Sequence, residues 1–146
     1  MGWKMTADEL LERYEKGERD FAGVDLKGAN LSGAVLREIN LERADLTGVN
    51  FTGADLSGGY GRERSPRYSL LRYAVLRNAN FRDADVSYVN FEFCDLSFAN
   101  FTYANCRGSV FDNACLLGVY FTDADLNGIT FEGARVEGTI LEDVVT

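Results

Sequence analysis

The sequence predicts an all-β solenoid: a tube of short flat walls, filled along its axis by its own side chains and closed at the N-terminal end by a short amphipathic helix. Three observations predict it. A large apolar residue recurs every fifth position from Phe21 through Leu56 and again from Leu71 to Leu141. Two residues before most of these stands Ala, Val or Ile, and two residues after many of them stands Gly. A period of five fits neither an amphipathic helix, at 3.6, nor an alternating strand, at 2. Repetition over more than a hundred of the 146 residues is the signature of a stacked architecture.

The first twenty residues are separate from this pattern. Thr6-Ala7-Asp8-Glu9 reads as a capping box, Met5 and Leu10 are placed for a hydrophobic staple, and Gly17 supplies the C-terminal stop. Ala7, Leu10, Leu11 and Tyr14 then share one face, which suits a lid over the first coil. Residues 1–20 are therefore assigned to a capping helix and lead-in, and residues 21–146 to the solenoid, broken by a loop at about 58–70.

Within the repeat, each five-residue unit makes one short extended side and one turn. The central Leu or Phe and the small residue two before it point to the axis, and the other three face outward. Large residues at the second inward site would crowd the bore. A second period fixes the number of sides. Phe21, Phe51, Phe81, Phe91, Phe101, Phe111, Phe121 and Phe131 share one ten-residue phase, whereas Leu, Val or Cys fills the other. Alternation by ten demands an even number of walls, and a square coil of twenty residues sets the phenylalanines on two opposite ones. Gly23, Gly28, Gly33, Gly48 and Gly53, then Gly108 and Gly118, suit corners at positive φ. Between Tyr73 and Tyr103 that glycine is missing, so a different turn is expected there. The end at Leu141–Thr146 is too short for a helix, and Ile129, Thr139 and Ile140 are expected to plug the axis beside it.

The unit A-(D/N)-(L/F)-x-x, as in Ala79-Asn80-Phe81 and Ala84-Asp85-Val86, resembles the pentapeptide-repeat family. The likeness runs from Phe21 to about Leu141, with more than twenty units in register. It implies a right-handed quadrilateral β-helix of four units per coil, here about six coils; at the sheet spacing of ~4.8 Å this gives a rod of roughly 30 Å. Leu10–Tyr14 and Gly17–Phe21 are also similar to the lead-in of family members from photosynthetic bacteria.

Three features could carry function. Pro66 and the clustered glycines around Gly58-Gly59-Tyr60-Gly61 break the wall, and the excursion is basic, with Arg62, Arg64 and Arg67. Aromatic residues occupy outward positions at Tyr68, Tyr73, Tyr88, Phe93, Phe98 and Tyr103. Twenty-residue spacing places Tyr73 over or under Phe93 on one corner and Tyr68 near Tyr88 on the next, and together the aromatics are expected to form an exposed patch, with the neighbouring loop folding over it through Tyr60 and Tyr68 or a partner covering it. Acidic residues such as Asp85, Asp95 and Asp125 recur on the walls. Net charge is −8, spread as +5 over residues 59–82 (six Arg, one Glu) and −9 from residue 83 onward (eleven acids, two Arg).

Composition excludes much. No histidine is present, which removes the commonest general base and every Ser-His or Cys-His nucleophile. Cys94, Cys106 and Cys115 are odd in number and lack C-x-x-C spacing, so no zinc site and no disulfide framework is indicated. No apolar run approaches a membrane span, and the N-terminus lacks a signal-peptide core. Met1-Gly2 with Thr6 satisfies an acylation pattern only loosely. The expectation is a cytoplasmic, non-catalytic protein-interaction scaffold without cofactor, metal, membrane or direct nucleic-acid contact, either monomeric or paired end to end through its last coil. The candidate surface comprises Arg62, Arg64, Arg67, Tyr68, Tyr73, Tyr88, Phe93, Phe98 and Tyr103. The resemblance implies an alternative, a DNA-mimicking inhibitor of a type II topoisomerase such as gyrase, whose acidic face would be Asp85, Asp95 and Asp125.

Overall fold

The computed structural model describes residues 3–60 and 66–146. Each coil has four walls, and every wall is held to the next by parallel bridges at a step of twenty residues. The first wall runs through Asp20, Asn40, Leu70, Asn90, Val110 and Thr130, and the second through Asp25, Asp45, Val75, Asp95, Cys115 and Arg135. The third carries Asn30, Asn50, Asn80, Asn100, Tyr120 and Ile140; the fourth carries Val35, Asp55, Asp85, Asn105, Asp125 and Val145. The step is thirty only where Asn40 meets Leu70, Asp45 meets Val75, Asn50 meets Asn80 and Asp55 meets Asp85. Ten inserted residues, two whole units, therefore leave the tube without disturbing its register.

The bore is filled by buried apolar side chains. On the third wall Phe51, Phe81, Phe101 and Phe121 stack face to face at centroid distances of 5.1, 4.6 and 5.1 Å. On the opposite wall Phe91 and Phe111 stack at 4.9 Å. The two columns meet edge to face across the axis, as Phe91 does Phe101 at 5.8 Å and Phe111 does Phe121 at 5.7 Å. Both geometries suit the ring quadrupole. Leu and the small residues of the remaining sites close the space around them, with Ala74, Ala79, Ala84, Ala99 and Ala104 all buried.

The corners correct one expectation. From Tyr73 to Tyr103 the turn does not change type: Tyr73, Asn78, Asp83, Tyr88, Phe93, Phe98 and Tyr103 hold φ between 53° and 62°, beside 65° to 75° for the corner glycines. Left-handed backbone costs an L-residue about 1–2 kcal/mol, so these corners are kept against local preference by the ladder above and below. Two glycines of the next coil make room for the rings. A Cβ on Gly108 would sit 2.5 Å from the Tyr88 ring, and one on Gly118 2.7 Å from that of Phe98.

At the N-terminal end, helix α1 spans Ala7–Glu15 with the Thr6–Glu9 capping box formed. Leu10 is fully buried in the core, Met5, Ala7, Leu11 and Tyr14 pack against it, and the Tyr14 hydroxyl donates to the Arg37 carbonyl at 2.8 Å. The lid has a second part. Lys4 bridges Asp25 in parallel, with the Met5 amide donating to the Asp25 carbonyl and the Asp25 amide to that of Trp3. Three residues thus add a rung to the second wall before the first coil begins.

Within the inserted segment β1, Gly59–Tyr60, pairs antiparallel with β2, Pro66–Arg67, as the two arms of a hairpin. The chain rejoins the wall at β3, Ser69–Leu70, paired in parallel with β4, Val89–Asn90. Gly58 marks the exit: a Cβ there would lie 2.0 Å from the Arg67 carbonyl oxygen and 2.4 Å from that of Tyr88. At the other end the plug fails. Ile129 packs against the core and the Thr139 hydroxyl donates to the Leu116 carbonyl, but Ile140 sits on the outer wall over Tyr120. Phe131, Val136 and Leu141 remain about half exposed.

Two outcomes test this packing. Phe101→Ala removes a ring held by four others and should cost about 3–5 kcal/mol in urea unfolding; a loss under 1 kcal/mol would contradict the filled bore. Gly128→Ala meets nothing closer than 3.7 Å and should cost only the left-handed term of about 1–2 kcal/mol. Gly118→Ala should cost more, and the excess should vanish in the double variant with Phe98→Ala.

Candidate interaction surface

The six predicted aromatics do not form one patch. A residue two past each central site lies on a corner, and the corners of one coil face four directions. Tyr73 and Phe93 share one corner, stacked at 4.9 Å with their planes 3° apart. Tyr68 and Tyr88 share the neighbouring corner across the first wall, edge to face at 6.4 Å. Phe98 and Tyr103 stand singly on the two remaining corners. Only the first two pairs flank a common wall.

On that wall the Tyr73 ring is sandwiched. Phe93 lies on one side and the Arg43 guanidinium on the other, 4.5 Å from the ring centroid, with Arg72 at 5.6 Å. Tyr73 and Phe93 are 41% and 43% exposed, so the described residues leave them largely open. Of the expected covering loop, the described residues bring Tyr68 edge to face against Tyr88; the Tyr60 side chain lies outside them. Arg62 and Arg64 lie outside the described residues; Arg67 is in β2 and exposed.

The basic segment is also less free than its sequence implies. Arg72 lies 3.2 Å from Glu92, Arg77 pairs with Asp95, and Arg82 lies 3.9 Å from Asp83. A base one past the central site reaches the Asp eighteen residues on: Lys27 to Asp45, Arg37 to Asp55, Arg77 to Asp95 and Arg107 to Asp125. The predicted acidic face is corrected accordingly. Asp85 and Asp125 stand on the fourth wall and Asp95 on the opposite second wall, and two of the three are ion-paired.

These carboxylates also organise the turns. Asp85, Asp95 and Asp125 each accept the backbone amide two residues on, and Asp85 and Asp95 accept the hydroxyls of Ser87 and Ser97 at 2.6 Å. Burial pushes the Asp95 carboxyl up, but the Ser97 hydroxyl, the Arg77 guanidinium and the Ser97 amide outweigh it and hold it below its ordinary value. In Asp55, Ser57 and Arg37 do the same against burial, and in Asp125 the Asn127 amides and Arg107 do. The thiols differ: burial pushes Cys94 and Cys106 far up, so neither is a nucleophile at neutral pH. Among the described residues no group of three or more Cys, Asp or Glu side chains could hold a metal ion, and no helix is long and apolar enough to cross a membrane.

The sequence model described as pentapeptide repeats matches in eight copies, over residues 20–58, 67–96 and 90–128. The chain belongs to the pentapeptide-repeat family. Its fold is that of the family, a right-handed quadrilateral β-helix. The pentapeptide repeat protein Rfr23 from the cyanobacterium Cyanothece 51142 is similar in structure, with a TM-score of 0.66 at 22% identity, covering 95% of this chain and 99% of that one. QnrB1, a plasmid-mediated fluoroquinolone resistance protein, aligns at a TM-score of 0.50 and 23% identity over 84% of this chain and 67% of its own. No curated protein matches the sequence. The twenty-residue spacing that sets Tyr73 against Phe93 and Tyr68 near Tyr88 in the sequence holds in the structure; what fails is the joining of Phe98 and Tyr103 to them in one patch.

The depressed carboxylates fix a pH response. Because folding lowers these pKa values, the unfolded chain binds more protons in acid, and the stability they confer is complete above the ordinary carboxylate range and lost as pH falls below about 4. Melting temperature should therefore drop steeply on acidification from about pH 5 to 2. Asp95→Asn combined with Asp125→Asn should flatten that limb; an unchanged slope would assign it elsewhere.

Proposed function

We propose that this pentapeptide-repeat protein is a non-catalytic, cytoplasmic protein-interaction scaffold, and that its binding surface is the first wall with the aromatic corners on either side of it. One observation carries the reading. Tyr73 and Phe93 are held as a stacked, half-open pair on left-handed backbone, a costly way to display two rings that the described residues leave uncovered. Rigid aromatic surface binds at little entropic cost, because nothing has to be ordered on contact. Tyr68, Tyr88 and Arg67 border the same wall. Phe98 and Tyr103 face away and are not part of it. A filled rod whose ion pairs are dispersed over opposite outer walls, in a chain without histidine, supports binding over catalysis.

DNA mimicry needs an uncompensated acidic face of DNA-like charge. The pairing of Asp95 with Arg77 and of Asp125 with Arg107 on opposite walls favours the scaffold reading instead.

Quantitative affinity purification from the native host separates these. Proteins recovered with the wild type should be lost with Tyr73→Ala/Phe93→Ala and kept with Phe98→Ala/Tyr103→Ala, both variants melting as cooperatively as the parent. Equal loss in both variants, or in neither, rejects the first wall as the surface.

A further inference from the structure

Phe98 and Tyr103, the two rings set apart from the first wall, flank the third. Phe98 holds the corner where the chain enters that wall and Tyr103 the corner where it leaves, in the same coil. Tyr120 stands on the wall itself, bridged to Asn100 one coil away. The three are 56%, 54% and 45% exposed. The Phe98 ring lies against Gly118, where a Cβ would sit 2.7 Å from it. Between its corners the wall is polar and nearly uncharged. From Asn50 to Thr122 its outward positions carry one charge, Arg82, which lies 5.5 Å from the Tyr103 ring centroid and 3.9 Å from Asp83. The first wall carries Glu42, Arg72, Glu92 and Asp112 over the same coils.

The asparagines of the two walls are also engaged differently. On the first, the side-chain amides of Asn40 and Asn90 donate to Asp20 and Glu92. On the third, Asn50, Asn80 and Asn100 accept on Oδ1 the backbone amide two residues on, and Thr52 and Thr102 donate their hydroxyls to that oxygen at 2.6 Å. The three Nδ2 groups have no acceptor among the described residues, and the threonine oxygens keep lone pairs free.

We infer that the third wall binds a neutral, extended polysaccharide. The ladder sets the amide donors about 4.8 Å apart in successive coils, two of them beside a hydroxyl acceptor, which suits a chain bearing hydroxyls at a regular repeat. The exposed rings suit the C–H faces of sugar rings, whose positive edges meet the negative face of an aromatic ring. The scarcity of charge matches a ligand without any, since Arg82 is already engaged with Tyr103 and Asp83. A polypeptide strand fits less well, because the backbone groups of this wall are closed within the ladder and an added strand needs an open edge.

The probe is cellohexaose, a flat extended glucose chain, with maltohexaose, the same sugar in a coiled chain, as its counterpart; each is titrated into the full chain and followed by NMR. Cellohexaose should shift the side-chain amide resonances of Asn80 and Asn100, and maltohexaose should not. Asn80→Asp/Asn100→Asp removes both donors but keeps the turn acceptor, a part Asp95 plays on the second wall, and should weaken binding about tenfold. Phe98→Ala/Tyr103→Ala/Tyr120→Ala should abolish the shifts while melting as cooperatively as the parent. Tyr73→Ala/Phe93→Ala should leave them unchanged, which keeps this site distinct from the first wall. No shifts at millimolar cellohexaose, an equal response to maltohexaose, or unaltered binding in the asparagine variant overturns the inference.

Discussion

The parallel amide ladder at a twenty-residue step is the constraint from which the remainder of this molecule follows. Once the Phe101 amide bonds to the Tyr120 carbonyl and the Asn100 amide to that of Ala79, every side chain has its counterpart one coil away at the strand spacing of about 4.8 Å. At that distance flat rings stack, so phenylalanines form columns inside and Tyr73 meets Phe93 outside. Like charges repel there, which is why the Asp columns are interleaved with arginines and lysines reaching up from the coil below. The ladder also holds non-glycine corners in a backbone region they would not choose alone.

The same constraint decides what a surface can be. On a globular protein a patch gathers residues from unrelated parts of the chain. On this rod it is a column or a pair of columns bordering one wall, and residues five apart point a quarter-turn away from each other. Six aromatics within 36 residues therefore give two bordering pairs and two isolated rings. Arginine density in sequence misleads for the same reason, since Arg37, Arg72, Arg77 and Arg107 are read against the acid eighteen or twenty residues later. The hairpin preserves all of this because it inserts a whole number of units.

The fold was legible because it rests on one repeated rule. The fivefold spacing placed the core, the tenfold alternation of Phe with Leu placed the two ring columns, and the Thr6–Glu9 spacing placed the cap. What sequence could not show was set by contacts without a local signature. The rung at Lys4 is three residues long. The corners at Tyr88 and Phe98 keep a glycine-like φ although nothing in an aromatic side chain announces it; the signal lay twenty residues on, in Gly108 and Gly118, which leave room for the two rings. Ile140 read as a plug because it is large and near the end, but its place immediately before Leu141 puts it on the outer wall, where the Asx positions belong.

That rule also separates the two ends of the rod in kind. At the N-terminal end a helix and a single rung bury Leu10 and pair the second wall of the first coil, so little apolar surface is left open there. At the far end the last coil keeps the geometry of the others but not their burial, and Phe131, Val136 and Leu141 stand where Phe111, Leu116 and Phe121 are covered. Stacking supplies almost all the burial of a central side chain here. A coil with nothing above it among the described residues therefore loses both its hydrogen bonds and its core on one side.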